Sequence, residues 1–290
     1  MRILALETTD KIGSVAAIAD GNPLAELILD RRQRSAQSLL PAVDSLLRQV
    51  GWRPADVQLV GVSIGPGSFT GLRVGVTAAK VFAYAVGAEV LGINTSEAIA
   101  ANCADTPCNE VSVVVDAQRG ELVVQSFVRQ ADGSFAPAGA EELLDADVWL
   151  ARLEAVGSGQ AAVGSGQSAV GSGQLEVGSR QGSGVRGQGS EIHPSSLIPH
   201  PSSLIPHPSS LIPHPSCFVT GPGLVRLRDR LPSGVVALDE DLWRPRAAVV
   251  GRLAARYYAQ GRRDDLWKLV PHYYRRSAAE EKWDARIASQ

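Results

Sequence analysis

Glu7, Asp10 and Asp116 are the carboxylates best placed to do chemistry. Glu7 and Asp10 stand in the polar turn Glu7-Thr8-Thr9-Asp10, which follows the apolar run Ile3–Leu6. Asp116 opens a similar turn, Asp116-Ala117-Gln118-Arg119-Gly120, after Val111–Val115. Carboxylates at strand ends can hold Mg²⁺ beside a nucleotide. They are equally common as turn formers, because their oxygens bond nearby backbone. The second chemistry-bearing feature is the run Ser63-Ile64-Gly65-Pro66-Gly67-Ser68-Phe69-Thr70-Gly71-Leu72-Arg73-Val74-Gly75. It joins a strand-like segment, Val57–Val62, to a helix-like one, Leu72–Val86. Such a loop presents backbone N–H groups to an anion. The strict phosphate motifs fail: Leu72 and Arg73 follow Gly71 where a Walker A loop needs Lys and then Ser or Thr, and Thr70 stands where a dinucleotide fingerprint needs its third glycine. Two readings stay open. One is an anion or nucleotide site built from Glu7, Thr8, Gly65, Gly67, Ser68 and Asp116, with Arg73 adding charge. The other is a tight turn capped by Ser68 or Thr70. No cofactor is required; weak ATP or ADP with Mg²⁺ is what these residues leave open.

Other catalytic chemistry is thinly supplied. Outside a repeat block, His272 is the only histidine, so a His-x-x-x-His metal centre is excluded and a Ser-His-Asp triad has no matching nucleophile elbow. Cys103, Cys108 and Cys217 match no zinc or redox spacing, as expected of a reduced cytosolic protein. No apolar run is long enough to span a membrane, and the N-terminus reaches Glu7 too soon for a signal peptide. The net charge of −2 implies no general nucleic-acid or membrane field. Its distribution is uneven. Residues 1–156 carry 12 Lys/Arg against 19 Asp/Glu, and residues 217–290 carry 14 against 9. The basic end, with Arg262 and Arg263, is either a solvated face or a surface for RNA or an acidic partner.

The elements that must position these residues repeat. Strands over Ile3–Leu6, Ser14–Ala19 and Leu24–Leu29 precede an amphipathic helix, Ser38–Val50, with Leu39, Leu40, Val43, Leu46 and Leu47 on one face. Strand Val57–Val62, the glycine loop and helix Leu72–Val86 complete the unit. The order restarts with strands Val111–Val115 and Glu121–Arg129, a further strand near Phe135, and a helical pattern over Glu141–Leu153. Cys217-Phe218-Val219-Thr220-Gly221-Pro222-Gly223 then repeats the strand-to-glycine-turn theme before Leu224–Leu231. Two βββαβα copies predict an α/β fold of two lobes flanking a cleft, as in the actin/Hsp70/sugar-kinase (ASKHA) superfamily. The expected divisions are 1–104, then 105–156 with 217–260, and a basic tail, 261–290.

Residues 157–216 break the pattern. Gly157-Ser158-Gly159-Gln160 and His193-Pro194-Ser195-Ser196-Leu197-Ile198-Pro199 each recur with period seven. Glycine- and proline-rich repeats cannot sustain a helix, so this block is expected to be a disordered, dispensable surface insert. Along Leu72–Val86 a different period appears: Gly71, Gly75, Ala79, Ala83 and Gly87 recur every four residues. Such a ridge of small side chains lets another backbone approach closely. It seats the helix either on its own sheet or on another chain.

The chain resembles the bacterial TsaB (YeaZ) family. The resemblance rests on Ile3-Leu4-Ala5-Leu6-Glu7-Thr8-Thr9, Leu39-Leu40-Pro41, the glycine run, Asp116-Ala117-Gln118-Arg119-Gly120-Glu121, Pro271-His272-Tyr273-Tyr274-Arg275 and Ala279-Glu280-Glu281-Lys282-Trp283. It implies a non-catalytic subunit in the formation of threonylcarbamoyladenosine in tRNA. The implied partners are a catalytic TsaD-like subunit and a TsaE-like ATPase, with tRNA reached through the complex and a homodimer left open. The implied interface is the pair of first-lobe helices, through Leu39, Val43, Gly71, Arg73, Gly75, Val76, Ala79, Lys80 and Ala83. The alternative is an autonomous ASKHA-type enzyme, either an ATP-dependent kinase or an M22-like peptidase. Ser35-Ala36-Gln37 and Glu7 depart from the family pattern.

Overall fold

The computed structural model describes residues 1–30, 35–157, 217–274, 283 and 286. The expectations for the repeat block and for Ala279–Trp283 therefore lie outside the described residues, apart from Gly157 and Trp283. The first half contains β1 (Arg2–Glu7), β2 (Ser14–Ala19), β3 (Asn22–Ile28), α1 (Ser35–Gln49), β4 (Leu59–Gly65), α2 (Phe69–Val86), β5 (Glu89–Asn94) and α3 (Thr95–Ala101). The second contains β6 (Glu110–Gln118), β7 (Glu121–Arg129), β8 (Phe135–Pro137), β9 (Glu142–Asp145), α4 (Ala146–Gly157), β10 (Cys217–Thr220), β11 (Val235–Ala237) and α5 (Ala247–Ala259).

The duplication is visible in the sheets. The first runs β3-β2-β1-β4-β5 and the second β8-β7-β6-β10-β11, with β9 pairing β7. In each, the central strand is antiparallel to the hairpin strand that follows it and parallel to the strand that carries the glycine turn. This is the expected two-sheet ASKHA architecture. Beyond shifted element limits, two differences from the sequence expectation stand out. Glu142–Asp145 is a strand on β7, and the helix begins only at Ala146, where Asp145 Oδ1 accepts the Asp147 N–H at 2.8 Å. After β10 there is no long helix over Leu224–Leu231 but the 3₁₀ turns Pro222–Arg226 and Arg228–Arg230.

β1 reads as a nearly continuous apolar run because both its faces are covered. Leu4 and Leu6 pack with Leu39, Val43 and Leu46 of α1 and with Val76, Ala79 and Ala83 of α2. Ile3 and Ala5 pack on the other face with Val250 and Ala254 of α5. Each fully buried Leu or Ile contributes about 1.5–3 kcal/mol. α5 sits very close to its sheet, since a Cβ on Gly251 would lie 2.1 Å from Ile18 Cδ1. Its N-terminus is held by the β2–β3 hairpin: Ser14 Oγ accepts from Ala247 N at 2.9 Å, Glu26 Oε1 from Ala248 N at 3.1 Å, and Glu26 Oε2 from Arg246 Nη2 at 2.6 Å. A carboxylate there also complements the helix dipole.

The crossing helices are exchanged between the halves. α3 packs on the second sheet, with Ile99, Ala100 and nearby Cys103 against Val111, Val113, Val123 and Phe127, whereas α5 packs on the first. Arg129 secures the chain after α3. Its Nε donates to Cys108 O, its Nη1 to Ala104 O and Gly133 O, and its Nη2 to Cys103 O and Thr106 O, at 2.6–3.2 Å.

Candidate functional site

The glycine loop leaves β4 and crosses the end of β1, and its glycines are explained by that crossing. A Cβ on Gly67 would lie 2.6 Å from Thr9 Cβ, one on Gly71 1.9 Å from Thr8 O, and one on Gly75 2.3 Å from Thr8 Oγ1. Ser68 N donates to Thr9 O at 2.7 Å, and Thr8 Oγ1 donates to Gly71 O at 2.7 Å. Ser68 caps α2, its Oγ accepting from Gly71 N at 3.3 Å. On the other side the C-terminal segment runs against the end of β4: His272 N donates to Ile64 O at 2.7 Å, and a Cβ on Gly65 (φ +123°) would lie 2.6 Å from His272 O. The N–H groups of Ser68 and Gly71 are therefore engaged within the chain.

Glu7 is fully buried. It accepts hydrogen bonds from Thr9 N at 2.5 Å, from Thr9 Oγ1 at 2.6 Å and from Ser63 Oγ. Burial pushes its pKa up, and the bonds from Ser63 and Thr9 only partly oppose this. Asp116 instead borders a cleft of about 400 Å³, walled by Pro66, Gly67 and Phe69 from the first half, Val115 and Gln118 from the second, and His272–Tyr274. Its Oδ1 accepts from Gln118 N at 2.7 Å, and Arg226 Nη1 lies 3.5 Å from its Oδ2. Among the six anion-site candidates, Gly67 and Asp116 line the cleft, whereas Glu7, Thr8, Gly65 and Ser68 do not. Asp10 pairs at 3.6 Å with Arg244. Among the described residues no group of three or more His, Cys, Asp or Glu could hold a metal ion.

The small-residue ridge faces inward. Gly71, Gly75, Val76, Ala79 and Ala83 are buried against the first sheet, as are Leu39 and Val43 of α1. These seven interface candidates present no side chain to a partner, so the ridge seats the helix on its own sheet. Arg73 and Lys80 do reach outward, and both hold the C-terminal segment. Arg73 lies 4.0 Å over the Phe69 ring and donates from Nε to Tyr273 Oη at 3.2 Å. Lys80 Nζ donates to Trp267 O at 3.2 Å and Leu269 O at 3.1 Å.

What the helices expose is a different set. Leu40 (58% exposed), Val81 (62%) and Tyr84 (69%) point to solvent, and Trp267 (71%) stands edge-on to Tyr84 with ring centroids 5.6 Å apart. Leu40 thus leaves the apolar face on which its spacing placed it, about 100° around the helix from Leu39. The all-round apolar character of Leu72–Val86 was the available sequence signal for Val81 and Tyr84; nothing signalled Trp267. Arg262 and Arg263, for which a solvated face and an RNA or acidic-partner surface were both open, are tied into the fold. Arg262 bonds Asp264 and Gly92 O, and Arg263 bonds Glu89 and Tyr258 O.

Comparison with known proteins matches these features. The sequence model of the TsaD family, described as tRNA N6-adenosine threonylcarbamoyltransferase, matches residues 29–155. The tRNA threonylcarbamoyladenosine biosynthesis protein TsaB of Bacillus subtilis is 33% identical over 122 residues, 42% of this chain and 53% of that protein. The protein of the same name from Escherichia coli is 29% identical over 155 residues, 53% of this chain and 67% of that one. The matches thus span between half and two thirds of these curated relatives. YeaZ from Pseudomonas aeruginosa shares the fold, with a TM-score of 0.63 at 22% identity, covering 94% of this chain and 99% of that one. In sequence over its first half and in fold over nearly its whole length, the chain is similar to the TsaB (YeaZ) proteins.

Proposed function

We propose that this protein acts in the biosynthesis of threonylcarbamoyladenosine in tRNA as a non-catalytic subunit that docks a TsaD-like catalytic partner, with a TsaE-like ATPase joining the assembly and tRNA reached through it. The observation that carries this reading is the exposed apolar surface of Leu40, Val81, Tyr84 and Trp267. Large apolar side chains left in water, among them Val81 and Tyr84 on one helix and Trp267 against Tyr84, are what a partner surface supplies. The inward-turned Glu7 and the separation of its carboxylate from Asp116 favour a supporting role over catalysis.

The double variant Val81→Glu/Tyr84→Ala tests it. Both side chains are exposed, so thermal melting stays at the wild-type value while co-elution with the TsaD-like subunit on size exclusion is lost. Wild-type affinity in this variant would overturn the docking assignment. Light scattering of the protein alone distinguishes a second copy on the same surface. The autonomous-enzyme alternative keeps one supporting feature, the cleft beside Asp116 and His272. Calorimetry with Mg-ATP addresses it, since tight binding with turnover would replace the supporting role.

A further inference from the structure

Away from the glycine loop, a cavity of about 170 Å³ lies between α3, α5 and the start of β8. Arg252, Arg256, Tyr257, Leu253, Phe135 and Glu97 form its wall. Arg252 and Arg256 are one turn apart on the same face of α5, an arrangement that costs an isolated helix a few tenths of a kcal/mol through like-charge repulsion. Among the described residues Arg252 has no hydrogen-bond or ion-pair partner. Arg256 is only loosely paired: its Nη2 stands 3.6 Å from Asp132 Oδ2, both groups well exposed, while Asp132 Oδ1 accepts from Ser134 N at 2.9 Å and Ser134 Oγ at 2.6 Å. An exposed contact of that length contributes little. The carboxylate in the cavity, Glu97, is engaged by the Tyr257 hydroxyl, which donates to its Oε2 at 2.9 Å. Leu253, Val249 and Ala101 make the interior apolar, with the Phe135 ring as one wall. One face of that ring is covered by the Arg129 guanidinium, 4.6 Å from its centroid.

The geometry points to a binding site for a small amphipathic anion: a ring-sized apolar body against Phe135 and Leu253, with one phosphate or carboxylate held by Arg252 and Arg256. The volume is well below that of a drug-sized pocket, which restricts the ligand to about one ring and its acid group. Guanidinium groups form bidentate, charge-assisted bonds with both kinds of acid. A ligand here would bridge α5, which packs on the first sheet, to α3 and β8 on the second. The inference is independent of the proposed partner role.

Phenyl phosphate, benzoate, inorganic phosphate and benzyl alcohol serve as probes in calorimetry and ligand-observed NMR on the full chain. Phenyl phosphate or benzoate is expected to bind the wild type about tenfold more tightly than inorganic phosphate or benzyl alcohol, because each of the latter satisfies only half of the site. Whichever of the two aryl acids binds better identifies the acid. Arg252→Gln and Arg256→Gln each weaken that binding about tenfold, the loss of one charge-assisted bond. Both positions are exposed, and an unchanged melting temperature confirms that the fold persists. Absence of aryl-acid binding at millimolar concentration, or binding that both Arg→Gln variants leave unchanged, overturns the assignment.

Discussion

Replacing Gly71 by alanine tests why the glycine run exists. The added Cβ would lie 1.9 Å from the Thr8 carbonyl oxygen, and ordinary contact begins near 3.4 Å. The obstacle is backbone just past the end of β1, so no rotamer change relieves it. The start of α2 must retreat by about 1.5 Å, which lifts Val76 from the sheet and breaks the bond from Thr8 Oγ1 to Gly71 O. An approach this close to a backbone atom puts the overpacking cost at the upper end, about 3 kcal/mol or more, and the lost bond adds about 1 kcal/mol; the gain in helix propensity offsets about 1 kcal/mol. A net loss of about 3 kcal/mol lowers the melting temperature by roughly 6–12 °C in a protein of this size. Gly75→Ala differs, because its new Cβ meets Thr8 Oγ1, a side-chain atom that can rotate away. Its cost is about the hydrogen bond and is nearly cancelled by propensity. Thr8→Ala sharpens the distinction. In that background Gly75→Ala becomes stabilising, whereas Gly71→Ala stays destabilising by at least about 2 kcal/mol, since the Thr8 carbonyl remains. Calorimetric melting of the five variants measures this. Gly71→Ala melting with the wild type, or rescue of Gly71→Ala by Thr8→Ala, would refute the account. Gly75→Leu and Ala79→Arg, which would otherwise look like interface probes, are expected to destabilise the fold, because both positions are buried against the first sheet.

Two further outcomes are expected. Burial raises the Glu7 pKa, so the native state holds a proton that the unfolded chain releases; stability therefore falls as pH rises from the ordinary glutamate range to the raised native value, and Glu7→Gln removes that slope in urea titrations run across the interval, while an unchanged slope would show that Glu7 ionises freely in the fold. Arg129→Lys keeps the charge but replaces a planar five-donor fork by three donors on a point charge, so it should cost about 2–3 kcal/mol by denaturant unfolding, and a melting curve matching the wild type would show that the carbonyl contacts are dispensable.

Strand positions were legible because alternation and apolar runs are local properties. Ser14–Ala19 and Glu121–Arg129 appear with the limits expected of them, and the twofold order of elements appears as the twofold order of the sheets. Orientation was less legible. The stripe Gly71-Gly75-Ala79-Ala83 is a helix face that accepts close approach, but the pattern does not state what approaches; Thr8, a long-range neighbour, decides it. Leu24–Leu29 and Glu141–Leu153 show the limit of periodicity for short elements, since the structure starts β3 at Asn22 and places β9 before α4. The contribution of Trp267, Leu269 and His272, which bond Lys80 of α2 and then the end of β4, depends on contacts far apart in the chain and left no local signature.

The glycine turns of the two halves have one cause. β4 lies beside β1 and β10 beside β6, each pair parallel, so the chain leaving β4 or β10 meets its central strand. Gly67 and Gly71 meet Thr9 and Thr8 just beyond β1. Gly221 (φ +115°) and Gly223 meet Val114 of β6, where added Cβ atoms would lie 2.3 Å from its carbonyl oxygen and 2.9 Å from its Cγ1. Topology requires both turns to be free of side chains whether or not an anion binds, so glycine alone is no witness to a nucleotide. The donors and carboxylates are more informative: Ser68 and Gly71 spend their N–H groups internally, and Glu7 is sealed by Ser63 and Thr9. What separates the halves lies beyond the turn. The first continues into an 18-residue helix with Val81 and Tyr84 in solvent, and the second into short 3₁₀ pieces. The repeated glycine turn belongs to the fold, and the long helix that follows only one copy is what gives the proposed partner surface its place.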